Sequence, residues 1–420
     1  MFWYAAGAVL AAVFILFLLN LHTAVPRVGR ELEHRYGPRT PQFERAMGTL
    51  LGPGILAGNR VRVLLNGDQI FPAMLAAIRS ARRTVTFETY IYWSGEIGKE
   101  FADALCDRAR NGVKVHLLLD WVGAGKIDHG LVTSMEEAGV EVEKYRPLKW
   151  YNLTRLNNRT HRKLLVVDGM IGFTGGVGIA DIWSGNAQDP EHWRDTHFQL
   201  EGPAVAQMQA AFLDNWLKVR PKVLHGDDYF PPLESAGDAR AQVFKSSFGE
   251  GSESARLMYL LSIGSAERSI LLANSYFVPD EVAIEQLVAA RRRGVRVEVI
   301  VPGEHIDSQV VRRASRALWK DLLEAGVEIY EYQPTMFHVK VMVVDGVWSS
   351  VGSTNFDPRS FCLNDEANLN VMDPTFARQQ EEVFEADKLK ARRVTLEMWR
   401  RRPLRERAQE RLASLLRSQL

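Results

Sequence analysis

The stretch His338-Val-Lys340-Val-Met-Val-Val-Asp345-Gly-Val-Trp-Ser-Ser-Val-Gly352-Ser353-Thr-Asn355 decides the fold, because the chain carries its frame twice. The earlier copy is His161-Arg-Lys163-Leu-Leu-Val-Val-Asp168-Gly-Met-Ile-Gly-Phe-Thr-Gly175-Gly176-Val-Gly178. Each reads His-x-Lys, four residues, Asp, then an apolar run ending in small residues. The alternation from His to Asp suits a strand. Side chains two apart on a strand share a face, so His338 and Lys340 point one way, as do His161 and Lys163. A neutral imidazole is a nucleophile and an ammonium attracts an anion, so each pair suits a phosphate. One His-x-Lys carries little information, whereas two in the same frame carry far more.

Outward from the motifs, a similar order of strands and helices precedes each one. Arg110-Asn-Gly-Val-Lys-Val is echoed by Arg293-Gly-Val-Arg-Val, and Glu137-Ala-Gly-Val-Glu-Val by Glu324-Ala-Gly-Val-Glu-Ile. Strands alternating with helices predict an α/β architecture, and the long-range echo predicts two similar domains. They are expected over 59–221 and 252–390. A linker is expected over 222–251, where Pro231-Pro232, Ser235 and Gly237 gather. If the domains pack about a pseudo-twofold axis, both motifs meet at one cleft.

The ends of the chain read differently. Phe2 to Leu19 is 18 residues without a charge, long enough for a bilayer core, and Phe2-Trp3-Tyr4 suits an interface. Residues 1–21 are expected to form a transmembrane helix. A cleaved signal is the alternative, but no Lys or Arg precedes the run. Arg27, Arg30, Arg35 and Arg39 follow, which puts the folded chain on the cytoplasmic side of a single-pass inner-membrane protein. Residues 22–58 are expected as a juxtamembrane connector. From Arg392 to Leu420 there are nine Arg and three Glu, with Leu404, Ala408, Leu412, Leu415 and Leu416 at helical spacing. Residues 391–420 therefore read as a basic amphipathic helix suited to an anionic membrane surface.

The bulk composition excludes other classes. Net charge is +1 over 420 residues, which argues against a basic nucleic-acid binder. Two cysteines give no disulfide framework, and the 10 histidines show no metal-ligand spacing. No metal or cofactor is expected. The sequence carries no signal of oligomeric state.

The duplicated His-x-Lys-x4-Asp resembles the mark of the phospholipase D superfamily, and from about Asn59 onward the chain is similar to bacterial cardiolipin synthases. Glu88-Thr-Tyr-Ile, His192-Trp-Arg-Asp195-Thr, Gly352-Ser-Thr-Asn355-Phe-Asp-Pro-Arg-Ser360 and Asn364-Asp-Glu366-Ala-Asn-Leu extend the likeness. The resemblance implies a two-step phosphatidyl transfer. One histidine forms a phosphohistidine; the other protonates the leaving alkoxide and then deprotonates the incoming alcohol. His161 is assigned as nucleophile and His338 as acid/base. Lys163, Lys340 and Asn355 are expected on the phosphate oxygens. Asp195 and Glu366 are expected to hold the histidine rings, and Ser353 joins this binding and orienting set. Asp168 and Asp345 complete the catalytic motifs and are expected to brace the motif loops. Gly178 stands where the family pattern places Asn, and Gly176 stands opposite Ser353.

The implied reaction joins two molecules of phosphatidylglycerol, an anionic phospholipid, into cardiolipin and glycerol. The competing readings are a phospholipase D using water, a nuclease or phosphodiesterase, and a catalytically inert lipid-binding scaffold. The membrane segment and near-zero charge argue against the nuclease, and two intact His-Lys pairs argue against the scaffold.

Overall fold

The computed structural model describes residues 36–147, 158–247 and 253–419, together with Tyr4 and Gly7. Among these are fifteen strands: β1 Leu56–Leu65, β2 Thr84–Thr89, β3 Lys114–Asp120, β4 Glu141–Tyr145, β5 Leu164–Val167, β6 Ile171–Gly175, β7 Thr196–Glu201 and β8 Ala239–Ser246. They continue as β9 Ser269–Asn274, β10 Arg296–Pro302, β11 Glu328–Tyr332, β12 Lys340–Val344, β13 Trp348–Gly352, β14 Glu366–Met372 and β15 Ala391–Val394.

All fifteen belong to one mixed sheet. Its centre is the antiparallel contact of β1 with β8, where Asn59 faces Ala239. Outward from that contact, one side runs β7, β6, β5, β2, β3, β4 and the other β14, β13, β12, β9, β10, β11, with β15 added at the second edge. Position by position the two sides match. β2–β3–β4 and β9–β10–β11 are parallel, and each motif strand, β5 or β12, lies antiparallel between its parallel set and its hairpin partner. The expected α/β class and duplication are both visible, but the halves form a continuous sheet.

The inner strands are apolar on both faces because both faces are covered. In β10, Val297, Val299 and Val301 pack with helices of the second half, while Ile300 faces the opposite layer. In β3, Val115, Leu117 and Leu119 pack with helices of the first half, while Leu118 faces that same opposite layer. Helices Val205–Val219 and Pro374–Lys388 supply residues to this shared layer, including Phe212, Trp216, Phe376 and Phe384. Burying each such side chain contributes about 1.5–3 kcal/mol, so the halves are fused by their common core as well as by the sheet.

Three boundaries differ from the sequence reading. The expected linker 222–251 contains β8, the first strand of the second half. The expected connector 22–58 contains a helix, Pro41–Leu51, capped by Thr40. Its Phe43, Met47 and Leu51 are buried in the second half's core, with the Phe43 ring edge-on to Trp348 at 5.0 Å. Residues 391–419 are not one helix: they form β15, helices Leu396–Arg400 and Leu404–Ser414, and a turn at Arg417–Gln419. The transmembrane helix expected over 1–21, and the connector as far as residue 35, lie outside the described residues apart from Tyr4 and Gly7. Among the described residues no helix is long and apolar enough to cross a membrane.

Candidate active site

Each motif histidine sits on an extended segment just before its strand, β5 or β12. Each segment pairs with the other half of the chain. Thr160 forms a parallel bridge with Asp365, and Arg194 with Phe337. The His161 N–H donates to the Asp365 carbonyl at 2.8 Å, and the His338 N–H to the Arg194 carbonyl at 2.8 Å. The residue after each bridge partner is a carboxylate: Glu366 in one case, Asp195 in the other. Backbone pairing thus delivers each carboxylate to the opposite half's histidine.

His161 Nδ1 lies 3.0 Å from Glu366 Oε1, and His338 Nδ1 lies 2.7 Å from Asp195 Oδ2. All four side chains are buried or nearly so. Around Glu366, the Ser353 hydroxyl donates at 2.5 Å, the Ser360 hydroxyl at 2.8 Å and the Asn364 amide at 3.4 Å. Around Asp195, the Trp183 indole N–H donates at 3.0 Å and the Thr196 backbone N–H at 2.8 Å. Ser353 therefore steadies the carboxylate behind His161. Its counterpart must be glycine, because a Cβ on Gly176 meets the Asp195 carboxylate at 2.2 Å. At Gly178 a Cβ meets the Cβ of Ile91 at 2.8 Å and the Trp183 ring at 3.1 Å. The first half thus fills with apolar side chains the space that an asparagine occupies in the second.

Lys163 Nζ donates to its own strand's His161 carbonyl at 2.9 Å. Lys340 Nζ donates to the His338 carbonyl at 2.7 Å and to Ser275 Oγ at 2.8 Å, and lies 3.1 Å from both nitrogens of the His338 ring. Ser275 in turn donates to Asn355 Oδ1 at 2.8 Å. With its oxygen so engaged, Asn355 has its amide N–H groups left as donors, and Asn355 lines the cleft.

Asp168 and Asp345 are not in the cleft. Both have left-handed backbone, φ 53° and 55°, at Asp-Gly turns. The Asp168 carboxylate accepts the N–H groups of Arg82, Arg83 and Thr84, and Asp345 those of Glu267, Arg268 and Ser269. These contacts tie the motif hairpins to the starts of β2 and β9.

Burial controls the charges. It holds the His161 imidazole down to about 4, against the pull of Glu366. Burial, then the Lys340 ammonium, holds His338 down to about 3. Burial also lowers Lys163 to about 7 and Lys340 to about 8. Although burial opposes it, the His contacts keep Asp195 and Glu366 below the usual carboxylate range. The arrangement is two neutral imidazoles, each backed by a carboxylate anion. Nδ1 donates to that carboxylate, which leaves Nε2 basic.

The two histidines share one cavity of about 440 Å³, lined also by Lys163, Asn355, Tyr90, Trp183 and Trp193. The His161 ring is 5.3 Å from Tyr90, and the His338 ring is 5.3 Å from Trp193. Arg159, Arg359, Tyr276 and Asp307 complete the walls. Sequence reasoning passed over these residues as site groups. A signal existed for the tyrosines: Tyr90 comes just after β2 and Tyr276 just after the matched strand β9, each preceded by a hydroxyl residue, Thr89 or Ser275.

Residues 74–210 and 259–388 match the family model described as cardiolipin synthase, phospholipase D-like domain. The chain is 35% identical over 357 residues to cardiolipin synthase A of Pseudomonas fluorescens Pf-5, covering 84% of this chain and 73% of the relative. It is 35% identical over 361 residues to a cardiolipin synthase of Geobacillus kaustophilus, covering 85% and 72%. Among solved structures, a phosphatidylserine synthase of Haemophilus influenzae superposes with a TM-score of 0.69 at 14% identity, over 90% of this chain and 100% of that one. At that identity the likeness is one of fold.

Proposed function

The chain belongs to the cardiolipin synthase family of phospholipase D-like phosphatidyltransferases and makes cardiolipin, and we propose that it does so from two phosphatidylglycerol molecules through a phosphohistidine on His161. The observation that carries the mechanism is the pair of crossed His–carboxylate contacts opening on one cavity. In the first step His161 Nε2 attacks phosphorus, the bond to the headgroup glycerol breaks, and that oxygen takes the Nε2 proton of His338, which enters the step as the imidazolium that Asp195 stabilises once the lipid phosphate is bound. In the second, His338 takes the proton of an incoming hydroxyl, whose oxygen forms a bond to phosphorus as the bond to His161 breaks.

The environments favour this division of labour. Three side-chain donors saturate Glu366, which weakens its pull for a proton on His161 and keeps that ring a nucleophile. Asp195 makes the shorter contact and favours an imidazolium at His338 once a phosphate draws the Lys340 ammonium off the ring. Lys163, Lys340 and the Asn355 amide supply positive charge and donors to the nonbridging oxygens.

A membrane-surface location fits the C-terminal region. On the Leu404–Ser414 helix the buried positions are Glu410 and Ala413, while Leu404 and Leu412 face outward at 79% and 66% exposure. Leu415 and Leu416 extend the exposed patch, and Arg405, Arg407 and Arg411 flank it. An apolar patch rimmed by arginines suits an anionic bilayer. It adjoins the cleft, because the turn ending at Gln419 reaches the cavity wall. Together with the N-terminal apolar run, this favours single-pass residence in the inner membrane with the catalytic chain cytoplasmic.

The test is purified enzyme with phosphatidylglycerol as sole lipid. Cardiolipin and glycerol are expected in equal amounts, and His338→Ala should abolish both. Phosphatidic acid as sole product would replace the transferase with a hydrolase, and cleavage of single-stranded DNA would favour the nuclease. Leu412→Glu/Leu415→Glu should weaken binding to phosphatidylglycerol vesicles without changing turnover in detergent micelles.

A further inference from the structure

The proposed reaction brings two phosphates into one cleft, and only one of them is transferred. The second belongs to the acceptor lipid, whose own phosphodiester lies a three-carbon glycerol bridge from the hydroxyl that attacks. The His and Lys pairs serve the transferred phosphorus. The cavity holds another cationic group beside them.

Arg159, His161 and Lys163 alternate along one extended segment, and all three line the cavity. The intervening residues face away: Thr160 bonds Glu88 and Asn215, and the Arg162 guanidinium bonds Asp214 and Ser247. Two extended residues span about 6.6 Å, the scale of a glycerol bridge between hydroxyl and phosphorus. From the second half Arg359 faces the same cavity, on the short helix that starts after Asp357. Its Nη1 donates to the Gln419 carbonyl at 3.2 Å. Both guanidiniums lie within electrostatic reach of the Tyr90 phenol, which itself packs against His161.

Among the described residues, the nearby acids have other partners. Asp120 is committed to the backbone N–H groups of Val122, Gly123 and Thr160. Asp357 caps the short helix by accepting from the Ser360 N–H at 2.7 Å, and burial pushes its carboxyl up to about 7. Asp307 accepts the Tyr276 hydroxyl at 2.8 Å. Arginine does not shed its proton, so two half-buried guanidiniums that line one cavity and act on each other electrostatically are stabilised by an anion between them. Their planar forks match phosphate oxygens.

Resting on the functional reading above, we infer that Arg159 and Arg359 form a second phosphate subsite that binds the phosphodiester of the acceptor lipid and so selects a phosphatidylglycerol over a free alcohol. The subsite holds the acceptor while its terminal hydroxyl oxygen bonds to the phosphorus on His161, the P–N bond breaks, and the proton passes to His338. Free glycerol, lacking a phosphate, reaches the same phosphorus without it.

The two acceptors therefore separate the subsite from the chemistry. With phosphatidylglycerol vesicles and labelled glycerol, one incubation reports both cardiolipin formation and exchange of label into phosphatidylglycerol. For Arg159→Gln and for Arg359→Gln, the ratio of cardiolipin formation to exchange should fall about tenfold or more, the loss expected for a charge-assisted contact. Arg→Lys at either position, which keeps the charge but not the fork, should fall between. Equal loss of both activities in the Gln and Lys variants, or an unchanged ratio, would overturn the subsite. A wild-type enzyme that exchanges glycerol yet forms no cardiolipin would instead overturn the functional reading on which it rests.

Discussion

In one half of the molecule, His161 leans on Glu366, a carboxylate cushioned by Ser353, Ser360 and Asn364. In the other, His338 leans on Asp195, held by the Trp183 indole and the Thr196 backbone. The motif strands match in frame, so the difference at the two histidines lies chiefly in the side chains around them. Where the second half places Ser353 and Asn355, the first has Gly176 and Gly178, and the space is taken by the Asp195 carboxylate, Ile91 and Trp183. A duplicated fold supplies symmetric scaffolding, and unequal packing around it gives two identical residue types different surroundings. Because each carboxylate crosses to the other half, neither half contains a complete site.

The crossing itself is the most consequential feature to break. Asp195→Asn lies in the first half but should damage the step that His338 performs. Glu366→Gln should damage the attack by His161. Each is expected to lower turnover of phosphatidylglycerol by on the order of 10²- to 10⁴-fold, as when a histidine loses its orienting carboxylate. A phosphatidyl ester with a nitrophenol leaving group needs no proton on departure. Its release burst should return for Asp195→Asn and not for Glu366→Gln. Rescue of both, or of Glu366→Gln alone, would undo the assignment.

Forcing the halves into greater likeness probes the asymmetry. Gly178→Asn and Gly176→Ser should each destabilise the protein by about 1–3 kcal/mol, the cost of overpacking a filled space. Gly176→Ser should also lower turnover, because the new side chain strikes the carboxylate behind His338. Thermal unfolding with parallel activity assays reads both effects. Higher activity in Gly178→Asn would mean that the first half had room for a donor after all.

The smallest expected effect is that of pH. Burial lowers Lys163 to about 7 and Lys340 to about 8. As pH rises from 7 to 9 both ammoniums are lost, and the KM for phosphatidylglycerol should rise about tenfold. Over that window the unfolded chain keeps these protons and the folded chain sheds them, so their contribution to stability increases with pH. Weaker binding alongside undiminished thermal stability identifies the lysines; a flat KM would show that they stay charged.

Much of this was legible in the residues. The repeated motif located both His-Lys pairs, and repeated strand and helix patterns gave the α/β class. The crossing was not legible, since it depends on parallel bridges between residues far apart in the chain, Thr160 with Asp365 and Arg194 with Phe337. β8 hid behind the Pro-rich seam at 231–232. The helix Pro41–Leu51 had readable signals in Thr40-Pro41 and in Phe43, Met47 and Leu51 at four-residue spacing, but the breakers around it dominated. For the C-terminal helix, periodicity located the leucine stripe. It cannot say which face a protein covers, and here the covered face carries Glu410, paired with Arg316 at 3.2 Å and Arg402 at 2.8 Å.

The central claim is that His161 carries the phosphatidyl group while His338 moves the proton. Acid-labile phosphohistidine can be trapped by rapid alkaline quench during turnover of phosphatidylglycerol and located by peptide mass spectrometry. The account predicts a phosphatidyl adduct on the peptide containing His161, formed in wild type and lost in His161→Ala. An adduct on His338 in the wild-type enzyme would contradict it.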